Sequence, residues 1–202
     1  MDGDHYFSAR PAAADERRTL TVPLAGRDVK VTTAAGVFSA HRLDLGTQVL
    51  LRTVPAPPPS GDLLDLGCGW GPLALTLAMR SPNARVWAVD VNERALDLVR
   101  RNASVLGLDG VVAVRPDEVP DDVSLGTLWS NPPIRVGKAA LHDLLRLWLP
   151  RLQPGAFAHL VVQRNLGADS LQRWLAGELG LDAERSGSAK GFRVLRVRHR
   201  SA

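Results

Sequence analysis

Leu63-Leu64-Asp65-Leu66-Gly67-Cys68-Gly69-Trp70-Gly71-Pro72 passes from an apolar run through three alternating glycines into a proline. Leu63 to Leu66 reads as a buried strand, and Pro72 to Met79 as a helix that starts right after the glycines. Glycines at such a junction let backbone pass close to a ligand, and the helix N-terminus presents free N–H groups to it. The spacing is G-x-G-x-G, and Pro72 stands where the dinucleotide fingerprint G-x-G-x-x-G requires its helix-packing glycine. The loop therefore does not read as an NAD site, and Cys68 and Trp70 read as packing residues.

Downstream of this loop, strand and helix patterns alternate. Arg85 to Val89 is a second strand ending in Asp90, and Asn92 is placed to cap a helix from Glu93 to Leu106. Val111 to Val114 and Leu125 to Ser130 follow as strands. Over residues 138–149 the apolar positions Leu141, Leu144, Leu145, Trp148 and Leu149 mark one helical face. Pro154-Gly155 reads as a turn into a strand from Phe157 to Val162. A helix carrying Leu171, Trp174, Leu175 and Leu179 comes next, then a closing strand from Phe192 to Val197. This alternation predicts an α/β fold: a doubly wound, mostly parallel sheet with helices on both faces and ligands at the C-terminal ends of its strands.

Upstream, residues 19–33 alternate around Gly26-Arg27-Asp28 and predict a hairpin. Gly36-Val37-Phe38-Ser39 reads as a turn, and Leu43 to Arg52 as a short helix. Residues 1–54 thus form an N-terminal cap, residues 55–61, with Pro55, Pro57, Pro58 and Pro59, a linker, and residues 62–202 the main domain, all in one compact unit.

The 202 residues are 45% hydrophobic and 23% charged, an ordinary globular composition without an apolar run long enough to span a bilayer. Met1-Asp2-Gly3-Asp4-His5 is acidic and lacks the layout of a signal peptide, so the expected location is the cytoplasm. The single cysteine, Cys68, rules out an internal disulfide and offers no zinc-ligand spacing. Lys30, Lys138 and Lys190 are the only lysines. The arginine excess mostly accompanies high Ala, Gly and Pro, as a GC-rich coding bias produces. Arg193-Val194-Leu195-Arg196-Val197-Arg198-His199-Arg200 is the local exception and has the look of a nucleic-acid footprint.

Three acids and amides at strand ends are candidates for chemistry. Asp90 is placed to take both hydroxyls of a ribose, since Asn92 is the better helix cap. Asp117, in Arg115-Pro116-Asp117-Glu118, reads equally as an acceptor for an adenine amino group and as a solvated loop acid. Asn131-Pro132-Pro133-Ile134 follows the fourth strand. Its side-chain and backbone carbonyls, held by prolines whose φ is fixed, suit a planar amino group that needs acceptors on both N–H bonds. Alone, the tripeptide reads equally as a proline-terminated strand end; downstream of the glycine loop, the acceptor reading prevails. No histidine pairs with a serine or cysteine as in a nucleophilic triad, and His41 and His142 read as surface or helix-face residues.

With these residues assembled, the chain resembles the class I S-adenosylmethionine-dependent methyltransferases of the small-domain type, and within them the ribosomal-RNA guanine-N2 (RsmC-like) family. The resemblance runs through His5-Tyr6-Phe7-Ser8, Gly36-Val37-Phe38-Ser39, Leu43-Asp44-Leu45-Gly46-Thr47, Asp65 to Gly71 and Asp90-Val91-Asn92. It continues through Ser130-Asn131-Pro132-Pro133-Ile134-Arg135, Gly137-Lys138, Val162 to Ala168 and Lys190 to Leu195. It implies a seven-stranded Rossmann-like sheet with the hairpin and helix as cap, and S-adenosylmethionine as cofactor, leaving as S-adenosylhomocysteine. Gly67, Cys68, Gly69 and Gly71 would wrap its methionine part, with Asp65 ordering the loop. Asp90 and Val91 would hold the ribose, and Asp117 the adenine side. Phe38, Asp44, Gly46 and Thr47 would close over it. Asn131, also against the cofactor, would with Pro132, Pro133 and Ile134 receive the target amine. The implied partner is RNA, ribosomal or within the small ribosomal subunit, with the guanine turned out of its stack. No membrane is implied, and the chain is expected as a monomer or weak dimer.

Three departures stand against the family pattern. The length leaves no room for the second, non-catalytic domain copy of many bacterial members. Ile134 replaces the aromatic found in enzymes acting on adenine N6 or glutamine. Leu125-Gly126-Thr127 lacks the acid common at that strand's start. The competing readings are methylation of a protein glutamine or a small molecule, and a non-catalytic RNA-binding or assembly factor with the same fold.

Overall fold

The computed structural model describes residues 16–133 and 137–199. Two strands open the described chain, β1 (Arg17–Leu24) and β2 (Arg27–Ala34), joined by a tight turn at Ala25 and Gly26 into an antiparallel hairpin. Helix α1 (Leu45–Thr53) follows. It begins two residues later than its apolar pattern suggests, because the Asp44 side chain accepts from the Thr47 N–H and caps it.

The doubly wound unit contains β3 (Ser60–Leu66), α2 (Pro72–Arg80), β4 (Asn83–Val89), α3 (Glu93–Leu106) and β5 (Val111–Val114). It continues with β6 (Leu125–Ser130), α4 (Lys138–Trp148), β7 (Leu152–Gln163), α5 (Ala168–Gly177), β8 (Leu181–Ala189) and β9 (Phe192–His199). The main sheet has seven strands in the order β5-β4-β3-β6-β7-β9-β8. Its first five members are parallel, and β9 is antiparallel to both neighbours. The expected fold class is therefore the observed one.

Alternation along the strands sorts side chains onto two covered faces. Leu64, Leu128, Leu160 and Leu195 pack with Leu145 and Trp148 of α4 and Leu175 of α5. Leu63, Trp129, Val161 and Val194 pack on the opposite face with residues of α1, α2 and α3. The hairpin lies outside α2 and α3, with Val22, Leu24, Val29 and Val31 packed around Trp70, Leu75 and Leu98. Asn102 of α3 accepts from the Thr32 N–H (2.7 Å) and donates to the Thr32 carbonyl (3.0 Å), so one side chain satisfies an otherwise open strand edge.

Several expectations are corrected. The proline-rich connection is shorter than 55–61, because Ser60 and Gly61 already belong to β3. Pro154-Gly155 does not precede the strand; it lies inside β7, where the pairing with β6 shifts register between Leu125 and Thr127 and absorbs the extra residues. Strand β8 lacks apolar alternation because it is an edge strand paired only with β9. Of the two readings of His142, the helix-face one holds: it lies on α4, buried, and stacks on Trp174 with ring centroids 3.6 Å apart. Burial lowers its pKa below the usual histidine value, with Lys138 and Arg146 adding to the shift.

The arginines of β9 are a structural ladder. Arg196 pairs with Glu184 and Arg198 with Asp182 (3.4 Å) across the β8–β9 register, and Arg193 pairs with Asp169 at the start of α5. Arg196 and Arg198 also lie over the Phe157 ring, 4.7 and 5.6 Å from its centroid. The local cluster that looked like a nucleic-acid footprint thus meets acids of its own fold. Arg200 lies outside the described residues.

Candidate active site

The glycine loop leaves β3 with two hydrogen bonds to the next strand: the Gly67 and Cys68 N–H groups donate to the Val89 carbonyl at 2.8 and 3.0 Å. Gly69, at φ 55°, donates its N–H to Asp90 Oδ2 (2.9 Å), while Asp90 Oδ1 accepts from the Asn92 N–H (2.9 Å). One carboxylate thus ties the loop to the end of β4 and keeps lone pairs for a ligand. Burial raises its pKa, and the backbone donors only partly oppose that. Asn92 caps α3 as expected and also donates to the Gly36 carbonyl (2.9 Å), which docks the 36–39 turn beside the loop.

Gly71 serves packing rather than ligand approach. It sits at φ 94°, and a Cβ there would lie 3.0 Å from Val99 Cγ2 of α3. Gly71→Ala is expected to destabilise the fold by about 1–3 kcal/mol through left-handed strain and overpacking, read as a lower denaturation midpoint. An unchanged midpoint would mean that α3 gives way freely.

Asp65 is fully buried. Its Oδ2 accepts from the Ala74 N–H of α2 (2.8 Å), and its Oδ1 has no hydrogen-bond partner among the described residues. Burial raises its pKa to about 8; the Ala74 bond opposes this and the Asp90 charge reinforces it. Cys68 is also buried, and its thiol pKa is pushed well up, chiefly by desolvation. It is a packing thiol and no nucleophile.

Asn131 follows β6. Its Nδ2 donates to Asp44 Oδ2 (2.8 Å) and to Thr47 Oγ1 (3.2 Å), which leaves the side-chain oxygen as the half of the amide free for a donor. The two proline-bearing and glycine-bearing segments converge, since a Cβ on Gly67 would lie 3.8 Å from Pro133 Cδ. Ile134 and Arg135 lie outside the described residues, as does the 5–8 segment.

Between these segments lies a cavity of about 420 Å³. Its wall includes Asp90, Val91, Asn92 and Pro116 after β4 and β5, Phe38, Asp44, Gly67, Gly69 and Asn131, and Pro132, Pro133, Gln163, Leu166 and Phe192. A recess of about 20 Å³, with Asp65, Thr47 and Cys68 in its wall, shares Phe38, Asp44 and Asn131 with it. Phe38 is 44% exposed and lines both spaces. Gly46 lines neither space; a Cβ there would strike Phe192 Cε1 at 2.9 Å, so it lets α1 sit against β9. Asp117 is not in the cavity wall: its carboxylate turns to Arg115 Nε (3.4 Å), and Pro116 faces the cavity instead.

Gln163 and Phe192 received no role from their residue types. Their signal is topological. Gln163 ends parallel strand β7 beside β6, and its cross-strand partner in β9 is Phe192. Both therefore reach the strand ends where such sheets bind ligands.

Residues 28–196 match the sequence model of the methyltransferase small domain. The uncharacterized protein YbxB of Bacillus subtilis is 32% identical over 170 residues, which cover 83% of this chain and 85% of that protein. Ribosomal RNA small subunit methyltransferase C of Pseudomonas entomophila is 34% identical over 200 residues, covering 96% of this chain and 58% of that one. Among solved structures, the T. thermophilus 16S rRNA N2 G1207 methyltransferase (RsmC), in complex with AdoMet and guanosine, superposes with a TM-score of 0.78 at 24% identity, over 94% of this chain and 52% of that one. The chain thus spans little more than half the length of these ribosomal RNA methyltransferases.

Proposed function

Because the chain belongs to the methyltransferase small-domain family, we propose that it methylates a planar exocyclic amine, guanine N2 of ribosomal RNA, with S-adenosylmethionine as methyl donor. The observation that carries this reading is the Asn131 amide, whose N–H groups are engaged by Asp44 and Thr47 so that its oxygen is free at the junction of glycine loop and Pro132-Pro133.

The residues fit the donor. The unpartnered, buried Asp65 Oδ1, beside a recess the size of one small polar group, suits the ammonium of a methionine moiety. Asp90, with backbone donors already on both oxygens, has lone pairs left for ribose hydroxyls, between the apolar walls of Val91 and Pro116. When bound, S-adenosylmethionine supplies an electrophilic methyl group on a sulfonium. The protein's own contribution is positional. Carbonyl oxygens of Asn131 and Pro132 accept from the amine N–H bonds, which turns the nitrogen lone pair out of conjugation and toward the methyl. The same acceptors stabilise the positive charge that develops on nitrogen, and the surplus proton leaves to solvent once the bond has formed. No histidine lines the cavity among the described residues, in keeping with a reaction that needs no nucleophilic base.

Transfer of isotope-labelled methyl, with total RNA, ribosomal subunits and soluble protein offered in parallel, tests the reading. Label recovered as N2-methylguanosine is the expected result. Label in protein, or in no pool despite cofactor binding, would redirect the site to another acceptor.

RNA contact is proposed at the cavity rim. Arg42 lines the cavity, and Arg164, whose N–H donates to the Gly191 carbonyl (2.8 Å), follows Gln163 beside Lys190. None of these three cations makes an ion pair with a described residue. Arg42→Glu with Arg164→Glu is expected to weaken RNA binding about tenfold or more and to reduce the salt slope by about 2, measured by anisotropy between about 50 and 200 mM salt. Arg196→Ala and Arg198→Ala should stay within about twofold, because their charges already meet acids. The reverse pattern would return the RNA surface to β9.

A further inference from the structure

We infer that Asp44 and Thr47 are positioning residues that determine which half of the Asn131 amide faces the acceptor, so that the N-terminal cap completes the acceptor site. The inference rests on the proposed methyl transfer to an amine.

A carboxamide has nearly the same shape in its two flipped orientations but opposite hydrogen-bonding character. With its oxygen toward the cavity, Asn131 accepts from an amine. With its NH2 toward the cavity, it opposes donor to donor and repels the same substrate. Among the described residues, the chain just after β6 makes no hydrogen bond to this amide that selects between the two. The selection comes from across the fold: Asp44 Oδ2 can only accept and lies 2.8 Å from Nδ2, and Thr47 Oγ1 lies 3.2 Å from the same nitrogen.

Both partners are themselves held. Asp44 is the N-cap of α1 and its Oδ2 also accepts from the Thr47 N–H (3.0 Å), so the carboxylate has little freedom to swing away. Thr47 is 2% exposed, three residues along in the first helical turn. Gly46, between them, brings that turn so close to β9 that a side chain there would meet both Phe192 Cε1 (2.9 Å) and Asp44 Oδ2 (3.0 Å). Strand end, helix start and cap therefore lock together with the Asn131 oxygen pointing out. The Asp44-x-x-Thr47 spacing serves two ends: it caps a helix, and it aligns two acceptors on one amide.

Three variants separate these roles. Asp44→Ser keeps an N-cap oxygen for α1 but is too short to reach Asn131. Asp44→Asn keeps a carbonyl oxygen at full reach. Thr47→Val removes one acceptor at constant shape. Each would be examined for transfer kinetics with ribosomal subunits, for S-adenosylmethionine affinity by calorimetry, and for water exchange of the Asn131 side-chain NH2 by NMR. That NH2 signal is assigned by its loss in Asn131→Asp. Asp44→Ser and Thr47→Val are expected to lower kcat by about 10- to 100-fold, a larger loss than in cofactor affinity, which the two side chains also border in the recess wall. Asp44→Asn should recover most of the kcat, and the NH2 protons should exchange at least about tenfold faster in Asp44→Ser than in the parent. Unchanged NH2 exchange, or weaker cofactor binding at unchanged kcat, would overturn the inference. If the parent transfers no methyl to any acceptor, the functional proposal fails by itself, while the exchange data still decide whether the cap holds the amide.

Discussion

Asn131→Ala is expected to lower methyl transfer by roughly 10²–10³-fold, the cost of deleting one preorganised polar contact to a developing charge, while S-adenosylmethionine affinity stays within a few fold. The asymmetry follows from the two sides of the residue. Its nitrogen is engaged by Asp44 and Thr47, and its oxygen is the acceptor proposed for the substrate. The cofactor's larger contacts are proposed elsewhere in the cavity wall, at the glycine loop, Asp90 and Val91. Deletion therefore removes an interaction that matters most as charge grows on the nitrogen, and the loss belongs in kcat more than in KM. Asn131→Asp is a useful companion, because a carboxylate there would face the Asp44 carboxylate and could not hold the same pose. Transfer that survives Asn131→Ala unchanged would remove Asn131 from the mechanism. A parent protein that binds cofactor and RNA but transfers nothing would instead favour the non-catalytic assembly factor.

What could be read in advance, and what could not, divides along the range of the interactions involved. Helix α3 was legible from Asn92 to Leu106 because its cap and its apolar period are local, and β5 and β6 because fully buried parallel strands are short apolar runs. Strand β8 left no such trace: Asp182 and Glu184 alternate as partners for arginines of β9, a reason that exists only after the two strands pair. The same pairing explains why the arginine cluster pointed to RNA in the sequence and to acids in the fold. Within the site, Asp65, Gly67, Asp90 and Asn131 were legible because each stands at a strand end next to a glycine, helix-cap or proline signal. Gln163 and Phe192 were not, since they meet the cavity only because β9 enters antiparallel beside β7. Asp117 shows the converse: the correct loop reaches the cavity, but through Pro116. The contact between Asp44 and Asn131 joins residues far apart in the chain, and no window of sequence contains it.

The place proposed for Asp65 against the cofactor's ammonium would make cofactor binding a proton-linked event, and this is the second large effect expected. Its pKa is raised from 3.8 to about 8, chiefly by burial. Between those two values the folded chain holds a proton that the unfolded chain has released, so the stability of the free protein falls as pH rises through that window. A cationic ligand at the unpartnered Oδ1 reverses the preference by favouring the carboxylate, so binding S-adenosylmethionine near neutrality must expel the proton. The affinity should therefore rise with pH, approaching tenfold per unit over about pH 5.5 to 7, where the ligand's amine is still charged. Calorimetry in two buffers of different ionisation enthalpy should show close to one proton released per cofactor bound. Asp65→Asn mimics the protonated carboxyl in shape and keeps an acceptor for the Ala74 N–H. That variant should lose the pH dependence of stability in this window together with the released proton, and bind the cofactor about 10²-fold more weakly for want of the buried charge pair. Asp90, whose pKa is also raised, titrates in both proteins, so only the difference between them reports Asp65. Equal proton release from parent and variant would place the cofactor's ammonium on another group and leave Asp65 with the Ala74 bond as its sole task.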